Sequence, residues 1–122
     1  MKEEPSRRVV RVQQVILAEV SRLARRERAL EQCLVTFTAV DLTPDLKQAF
    51  VYWSTLARDI PIESIGQTLD RVARGWQNEL GRRLAIKYTP RLTFRFDEGQ
   101  ERGDRVMAIL RQIESPDDPL SR

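Results

Sequence analysis

Histidine is absent from this sequence, and cysteine occurs only once. Without histidine, the chain lacks the commonest general base and the commonest imidazole metal ligand. The single Cys33 rules out an internal disulfide and, with no histidine, ordinary zinc sites as well. The longest uncharged run, residues 48–57, is only half as long as the ~20-residue apolar stretch that crosses a bilayer. These absences argue against a disulfide-stabilised, zinc-binding or membrane-spanning protein and favour a reducing, cytoplasmic setting.

Enzymatic chemistry also lacks its usual motifs. The five glycines form no phosphate-binding or dinucleotide-binding loop. Four carboxylates near the C-terminus would suit Mg²⁺ in principle, but helix capping and pairing with neighbouring arginines explain them more simply; they are Asp97, Glu98, Glu101 and Asp104. We therefore predict no catalytic residue, no cofactor, no metal and no small-molecule substrate.

Basic charge is modest in total but unevenly placed. The net charge of +3 comes from 21 basic and 18 acidic residues, and 18 of the basic ones are arginine, which forks onto phosphates and stacks on bases. Residues 81–96 contain five basic residues and no acidic one. They are Arg82, Arg83, Lys87, Arg91 and Arg95. A second cluster opens the chain with Arg7, Arg8 and Arg11. This distribution favours a nucleic-acid partner.

The hydrophobic pattern predicts alternating helices and strands. Apolar residues at helical spacing after Pro5 and Ser6 predict a helix over residues 6–28. The β-rich runs 34–41 and 47–56 flank a turn that contains Pro44 and Asp45, which predicts an antiparallel hairpin. Residues 62–84 again show helical spacing, and Gly75 in their middle predicts two helices that meet at a kink or at a close backbone contact.

The rest of the chain completes a small α+β domain. Alternation over residues 92–96 predicts a third strand, and residues 100–113 a short C-terminal helix. Two prolines and no apolar pattern after Ser115 predict a disordered tail over residues 115–122. We therefore expect one domain, residues 1–114, in which helices cover one face of a three-stranded sheet in two layers.

Several local strings resemble the ribosome-binding factor A family in order and spacing. They are Arg11-Val12, Val40–Lys47 with Ala49 and Val51-Tyr52, Glu79–Leu84, Tyr88–Pro90, and Asp97-Glu98 with Glu101–Gly103. The resemblance runs from about Arg7 to Val106. It implies a type II KH-like fold (α-β-β-α-kink-α-β), in which an Ala-x-Gly junction replaces the GxxG loop of ordinary KH domains. Ala73, Arg74 and Gly75 match that junction, and the sequence contains no GxxG.

The same resemblance implies a function. It implies a factor that binds the immature small ribosomal subunit, contacts its rRNA near the decoding region and assists late maturation, including in the cold. We also expect a cytoplasmic monomer. On this basis we predict RNA contacts by the basic residues of 82–95, by the N-terminal arginines and by Arg74 and Gly75 at the junction. A solvated surface explains the same charges, and a salt bridge to Asp70 would equally occupy Arg74.

Two rival interpretations remain open at this point. In a protein-interaction module, the first helix or a sheet edge would bind a partner while the arginines keep the chain soluble. In a generic RNA-binding domain, ribosomal preference would be absent. Among the aromatic residues, Trp53, Trp76, Phe94 and Phe96 are predicted in the core, whereas Phe50 and Tyr52 are left undecided.

Overall fold

A computed structural model describes residues 6–84 and 87–98 of the chain. In chain order its elements are helix α1 (Arg7–Arg26), a 3-10 turn (Arg28–Leu30), strands β1 (Val35–Leu42) and β2 (Gln48–Thr55), helix α2 (Ile62–Arg83) and strand β3 (Arg91–Phe96). The predicted C-terminal helix, the predicted tail and the carboxylates Glu101 and Asp104 lie outside the described residues. Within the described part of the chain, no helix is long and apolar enough to span a membrane.

Helix α1 begins where the sequence predicts. The Ser6 side chain accepts a hydrogen bond from the Val9 backbone N–H at 3.1 Å and so caps one of the unpaired donors of the first turn. The apolar stripe becomes the buried face, with Ile16 and Val20 fully enclosed. The helix ends at Arg26, two residues before the predicted end, because Glu27 adopts an extended backbone conformation.

The three strands form one mixed sheet in the order β1-β2-β3. Strands β1 and β2 pair antiparallel, which confirms the predicted hairpin, and a register shift between Phe37 and Ala39 marks a bulge. Strand β3 pairs parallel to β2, and helix α2 makes the crossover that a parallel connection requires. Strand β2 is therefore central, and β1 and β3 are the two edges.

The predicted break at Gly75 is absent. Residues Ile62–Arg83 form one continuous α-helix rather than two helices. A glycine within a helix costs about 0.5–1 kcal/mol relative to alanine, which packing of a single apolar stripe offsets. A Cβ atom at Gly75 would meet no atom within 4 Å, so no part of the described chain approaches it closely. The expected close contact inside the fold is therefore wrong as well.

The two helices cover one face of the sheet, which confirms the two-layer α+β architecture. Ile16, Val51, Leu69 and Leu80 meet there with no exposed surface. Trp53 and Trp76 are buried as predicted, and Phe94 and Phe96 pack against this core. The opposite face of the sheet carries Phe50, Tyr52, Arg91 and Arg95, because side chains alternate along a strand.

Candidate nucleic-acid interface

The fold brings several predicted cations to one end of the sheet. The Gln13 side chain of α1 accepts a hydrogen bond from the Leu42 backbone N–H at 3.0 Å, which places the start of α1 beside the end of β1. Leu42 pairs with Ala49, and Ala49 with Leu92 near the start of β3. The N-terminus of α1 and the start of β3 therefore share one end of the molecule. The last turns of α2 join the start of β3 through Gln77 and Leu92, and Arg83 reaches back to Glu19 in the second half of α1. We call this shared end the basic end; its predicted cations are Arg7, Arg8, Arg11, Arg82, Arg83, Lys87 and Arg91.

The N-terminal arginines at the basic end are open to solvent. Arg7, Arg8 and Arg11 are all exposed, and the first turn of α1 contains no acidic residue. None of the three forms an ion pair with the residues that the structure describes. They also lie at the positive end of the helix dipole, which favours anions. This part of the chain is suited to phosphate binding.

Arg82 and Arg83, in contrast, already face carboxylates. Arg82 pairs with Glu79 one turn earlier, at 3.1 Å. The Arg83 Nε atom lies 3.7 Å from the carboxylate of Glu19 on α1. Arg22 also donates two hydrogen bonds to Glu19. The sequence run without acidic residues therefore has acidic neighbours in space.

Glu19 is the single buried charged residue in the described ranges 6–84 and 87–98. Its hydrogen bonds from Arg22 lower the pKa of this carboxyl, with smaller contributions from the charges of Arg22, Arg83 and Arg26. The same contact raises the pKa of Arg22. Pairing with the arginines thus keeps Glu19 ionised against the opposing effect of burial, and it ties α1 to the end of α2. Sequence reasoning missed this role, although a glutamate within an apolar helical stripe is a visible signal.

The segment between α2 and β3 is fixed to the helix. The Gln77 side chain donates to the Pro90 carbonyl oxygen and accepts from the Leu92 backbone N–H at 3.2 Å. A Cβ atom at Gly81 would lie 2.8 Å from Thr89 Oγ1, so the segment crosses directly over this glycine. An alanine here would require the Thr89 side chain to shift, so the close approach that was expected at Gly75 is found at Gly81 instead.

Cations around this segment contact aromatic rings. Lys87 Nζ lies 5.5 Å from the centre of the Tyr88 ring, and the Arg95 guanidinium lies 4.2 Å from the centre of the Phe50 ring. Both distances are in the range of cation–π interactions. Arg91 is exposed and forms no ion pair with a described residue. Sequence reasoning did not select Tyr88 as a site residue.

The junction Ala73-Arg74-Gly75 lies in the middle of α2. Ala73 is half-buried, whereas Arg74 and Gly75 are exposed on the outer side of the helix. The alternative salt bridge from Arg74 to Asp70 is not formed, and no other described residue pairs with Arg74. The guanidinium of Arg74 is therefore available for a partner.

The predicted cations do not form one continuous surface. Arg91 and Arg95 lie on the face of the sheet opposite the helices, whereas Arg74 lies on the helical layer. Among the described residues, no cluster of His, Cys, Asp or Glu is arranged to hold a metal ion.

The opposite end of the sheet carries a groove and two exposed leucines. A groove of about 570 Å³ lies between the end of α1 and the start of β1, and Arg25, Arg28 and Leu34 are among the residues that line it. Leu34 and Leu56, joined by a backbone hydrogen bond of 3.3 Å, are 53% and 79% exposed. Leu34 also has a positive φ of 49°, which is unusual for leucine. The sequence prediction singled out none of these residues.

Comparison with known proteins supports the resemblance. The family model described as Ribosome-binding factor A matches residues 8–110. A protein of that name from Ligilactobacillus salivarius is 37% identical over 112 residues, which cover 90% of this chain and 94% of that protein. The crystal structure of ribosome-binding factor A from Thermus thermophilus has the same fold, with a TM-score of 0.66 at 20% identity over 76% of this chain and 99% of that one.

A third similar structure belongs to a protein in complex with a ribosomal particle. It is a homology model of Thermus thermophilus ribosome-binding factor A, fitted into the cryo-EM map of its complex with the 30S particle. The TM-score is 0.54 at 28% identity, over 70% of this chain and 96% of that one.

Proposed function

Because the chain belongs to the ribosome-binding factor A family, we propose that it binds the small ribosomal subunit and its rRNA during late maturation, without catalysis. The observation that carries the proposal is the basic end, where α1 and the start of β3 present exposed cations without carboxylate partners among the described residues. The similar Thermus protein, fitted into a 30S complex, supports the choice of partner.

The mechanism that we propose is occupancy. Guanidinium and ammonium groups neutralise rRNA phosphates and release counterions, which supplies affinity without reading sequence. Arg7, Arg8, Arg11, Lys87 and Arg91 form the central set of contacts. Arg82, Arg83, Arg74, Gly75 and Arg95 extend it at the margins. The folded body then stabilises one arrangement of the RNA until maturation permits release.

The remaining properties follow from this mechanism. Binding by shape and charge needs no cofactor, metal or small-molecule substrate, and one copy of the chain provides the whole basic end. We therefore infer a cytoplasmic monomer in which residues 1–114 act as the RNA-binding domain.

Co-sedimentation across a salt series tests this function. The purified protein is centrifuged with small subunits, large subunits and free structured RNA. We expect preference for small subunits and a slope of log affinity against log salt of about −3.5 to −4.5 if about five phosphates are neutralised. The variant Arg7→Ala/Arg8→Ala/Arg91→Ala should lose binding. The control Arg25→Ala/Arg28→Ala/Arg58→Ala removes equal charge from the other end and should retain it.

Two results would point elsewhere. Equal binding to all three RNA-containing samples would favour a generic RNA-binding domain. No binding to any of them at low salt would favour a protein-interaction module, for which the exposed Leu34 and Leu56 beside the groove are the specific supporting observation.

A further inference from the structure

Tyr88 is unusual among the aromatic residues because its ring is largely open to solvent. It is 69% exposed, whereas Trp53 and Trp76 are 2% and 4% exposed. Phe50, Tyr52, Phe94 and Phe96 are at least partly covered. A lone exposed aromatic residue is ordinary on a protein surface and would carry no inference by itself. Two further features distinguish Tyr88: the backbone that follows it is anchored to α2, and cations lie near its ring.

The backbone on the C-terminal side of Tyr88 is held in place. Thr89 lies against Gly81, where even a methyl group would approach its hydroxyl to 2.8 Å. Pro90 and Leu92 are bonded to the Gln77 side chain. The ring therefore projects from a segment anchored to α2. Such support lowers the entropy that is lost when a ligand stacks on the ring.

The electrostatic surroundings of Tyr88 suit an anionic ligand. Lys87 Nζ lies 5.5 Å from the ring centre, and the exposed Arg91 follows three residues later. No acidic residue occurs in the sequence between Gly81 and Phe96. Glu19 and Glu79 are paired with Arg22, Arg83 and Arg82. The β1–β2 hairpin at this end also carries two exposed carboxylates, Asp41 and Asp45, and Asp45 accepts hydrogen bonds from the Thr43 hydroxyl and the Lys47 backbone N–H. An exposed aromatic ring with a cation before it and another after it in the chain matches a base with its flanking phosphates.

Resting on the proposed function, we propose that Tyr88 is a base-stacking residue for an unpaired nucleotide of the rRNA. The base stacks on the Tyr88 ring, while Lys87 and Arg91 contact the phosphates on either side of it. Single-stranded RNA is the ligand, because bases within a duplex are stacked on one another and do not offer a free face. An acidic protein segment would use the cations but would gain little from the planar ring.

Affinity measurements on the full-length protein with purified small subunits test this site. We expect Tyr88→Ala to weaken binding on the order of 5- to 150-fold, which is the measured range for loss of one base–aromatic stack. Tyr88→Phe should bind nearly as well as the parent protein, since it keeps the ring. Leu56→Ala, which changes a large side chain that is even more exposed and lies at the other end of the sheet, serves as the control and should leave binding unchanged.

The salt dependence separates stacking from charge. Tyr88→Ala should leave the slope of log affinity against log salt unchanged, whereas Arg91→Ala should reduce its magnitude by about 0.7–0.9. Thermal unfolding should be the same for Tyr88→Ala and the parent protein, since the ring is mostly exposed.

Each outcome bears on a distinct claim. If the parent protein binds small subunits and Tyr88→Ala binds equally well, the stacking site is wrong and the proposed function stands. If Tyr88→Phe is as weak as Tyr88→Ala, the hydroxyl rather than the ring makes the contact, and stacking is again wrong. If the parent protein does not bind small subunits, the proposed function fails and the stacking site with it.

Discussion

The two halves of the basic run 82–95 look alike in sequence and differ in their surroundings. Arg82 and Arg83, at the end of α2, face the carboxylates of Glu79 and Glu19. Lys87 and Arg95 lie over aromatic rings, and Arg91 has no ion-pair partner among the described residues. The first half contributes to joining the two helices. The second half is the part whose positive charge is left for a ligand.

This difference has a simple origin. Residues three or four apart on a helix are neighbours, so a helical arginine readily finds a glutamate one turn away. The segment after α2 has no such neighbours in sequence, and the parallel pairing of β3 places it beside β2 instead. Charge counted along the chain therefore overstates the positive potential of the helical half.

The largest expected effect is the loss of affinity for small subunits when two positive charges are removed from the second half of the run. The same removal from the first half serves as the comparison. Lys87→Ala/Arg91→Ala should weaken binding to small subunits by about 1.5–3 kcal/mol for each of the two charge-assisted contacts that are lost. The salt slope should fall by about 1.4–1.8. Arg82→Ala/Arg83→Ala removes the same charge and should cost clearly less binding. If co-sedimentation shows that the two variants lose the same affinity for small subunits, the proposed difference between the halves is wrong.

A second change releases the second half of the run from helix α2. We call this part, which contains Lys87, Arg91 and Arg95, the ligand-facing half. Gln77→Met keeps the length of the side chain but leaves the Pro90 carbonyl and the Leu92 N–H without their partner. We expect the free energy of unfolding in urea to fall by about 2 kcal/mol, because partly buried polar groups lose hydrogen bonds. Gln14→Met, at an exposed position of α1, is the control. A stability equal to that of the control would mean that Gln77 does not hold the segment.

A third change removes a carboxylate that faces the first half of the run, Arg82 and Arg83, which we call the paired half. Glu19→Gln removes the charge that faces Arg22 and Arg83, and we expect a loss of about 1 kcal/mol in stability at neutral pH, since both arginines can be hydrated. Arg83, once released, should slightly strengthen binding to small subunits. Glu79→Gln, at a more exposed pair, should cost less stability.

The pH dependence of that loss has a definite sign. Pairing lowers the pKa of Glu19 in the folded protein, so its contribution is complete above the ordinary value of 4.5 and is lost as the pH falls through the lowered pKa. The stability difference between the parent protein and Glu19→Gln should therefore be constant at pH 6–8 and shrink below about pH 4.5. Urea unfolding at several pH values checks this, and a gap that widens in acid would contradict the pairing.

The smallest expected effect concerns two glycines of the helix that carries the paired half. Gly75→Ala should raise the free energy of unfolding by about 0.5–1 kcal/mol, because nothing surrounds the new methyl group. Gly81→Ala should give no such gain, because its methyl group meets Thr89 at 2.8 Å. Thermal unfolding of both variants tests this. A fall in stability for Gly75→Ala would contradict the open surroundings of Gly75, and weaker binding to small subunits would support its proposed place at the margin of the interface.

The sequence predicts those features that depend on local pattern. The cap at Ser6, the stripe of α1 and the hairpin follow from residue spacing and turn chemistry, and burial of Trp53 and Trp76 follows from their positions on apolar faces. The continuity of α2 does not follow, because the cost of Gly75 is small compared with packing of the stripe on both sides of it. Glycine alone cannot distinguish a break from a tolerated residue.

The candidate site was less predictable than the fold. The cations could be named from composition and from the family resemblance, but their partners lie far away in sequence, as Arg83 and Glu19 illustrate. Exposure of Tyr88 depends equally on tertiary packing. The close approach of Thr89 to Gly81 likewise depends on how the segment crosses the helix, which spacing along the chain does not encode.

The parallel pairing of β2 with β3 has a consequence for how the molecule is made. The hairpin and α1 involve mainly neighbouring parts of the chain and can form early during synthesis. Strand β3 can join the sheet only after all of α2 has emerged and crossed back, a long loop closure that slows folding. The segment from Lys87 to Arg91 thus reaches its final position among the last events. A newly made chain would gain its ligand-facing half only after both α2 and β3 have emerged.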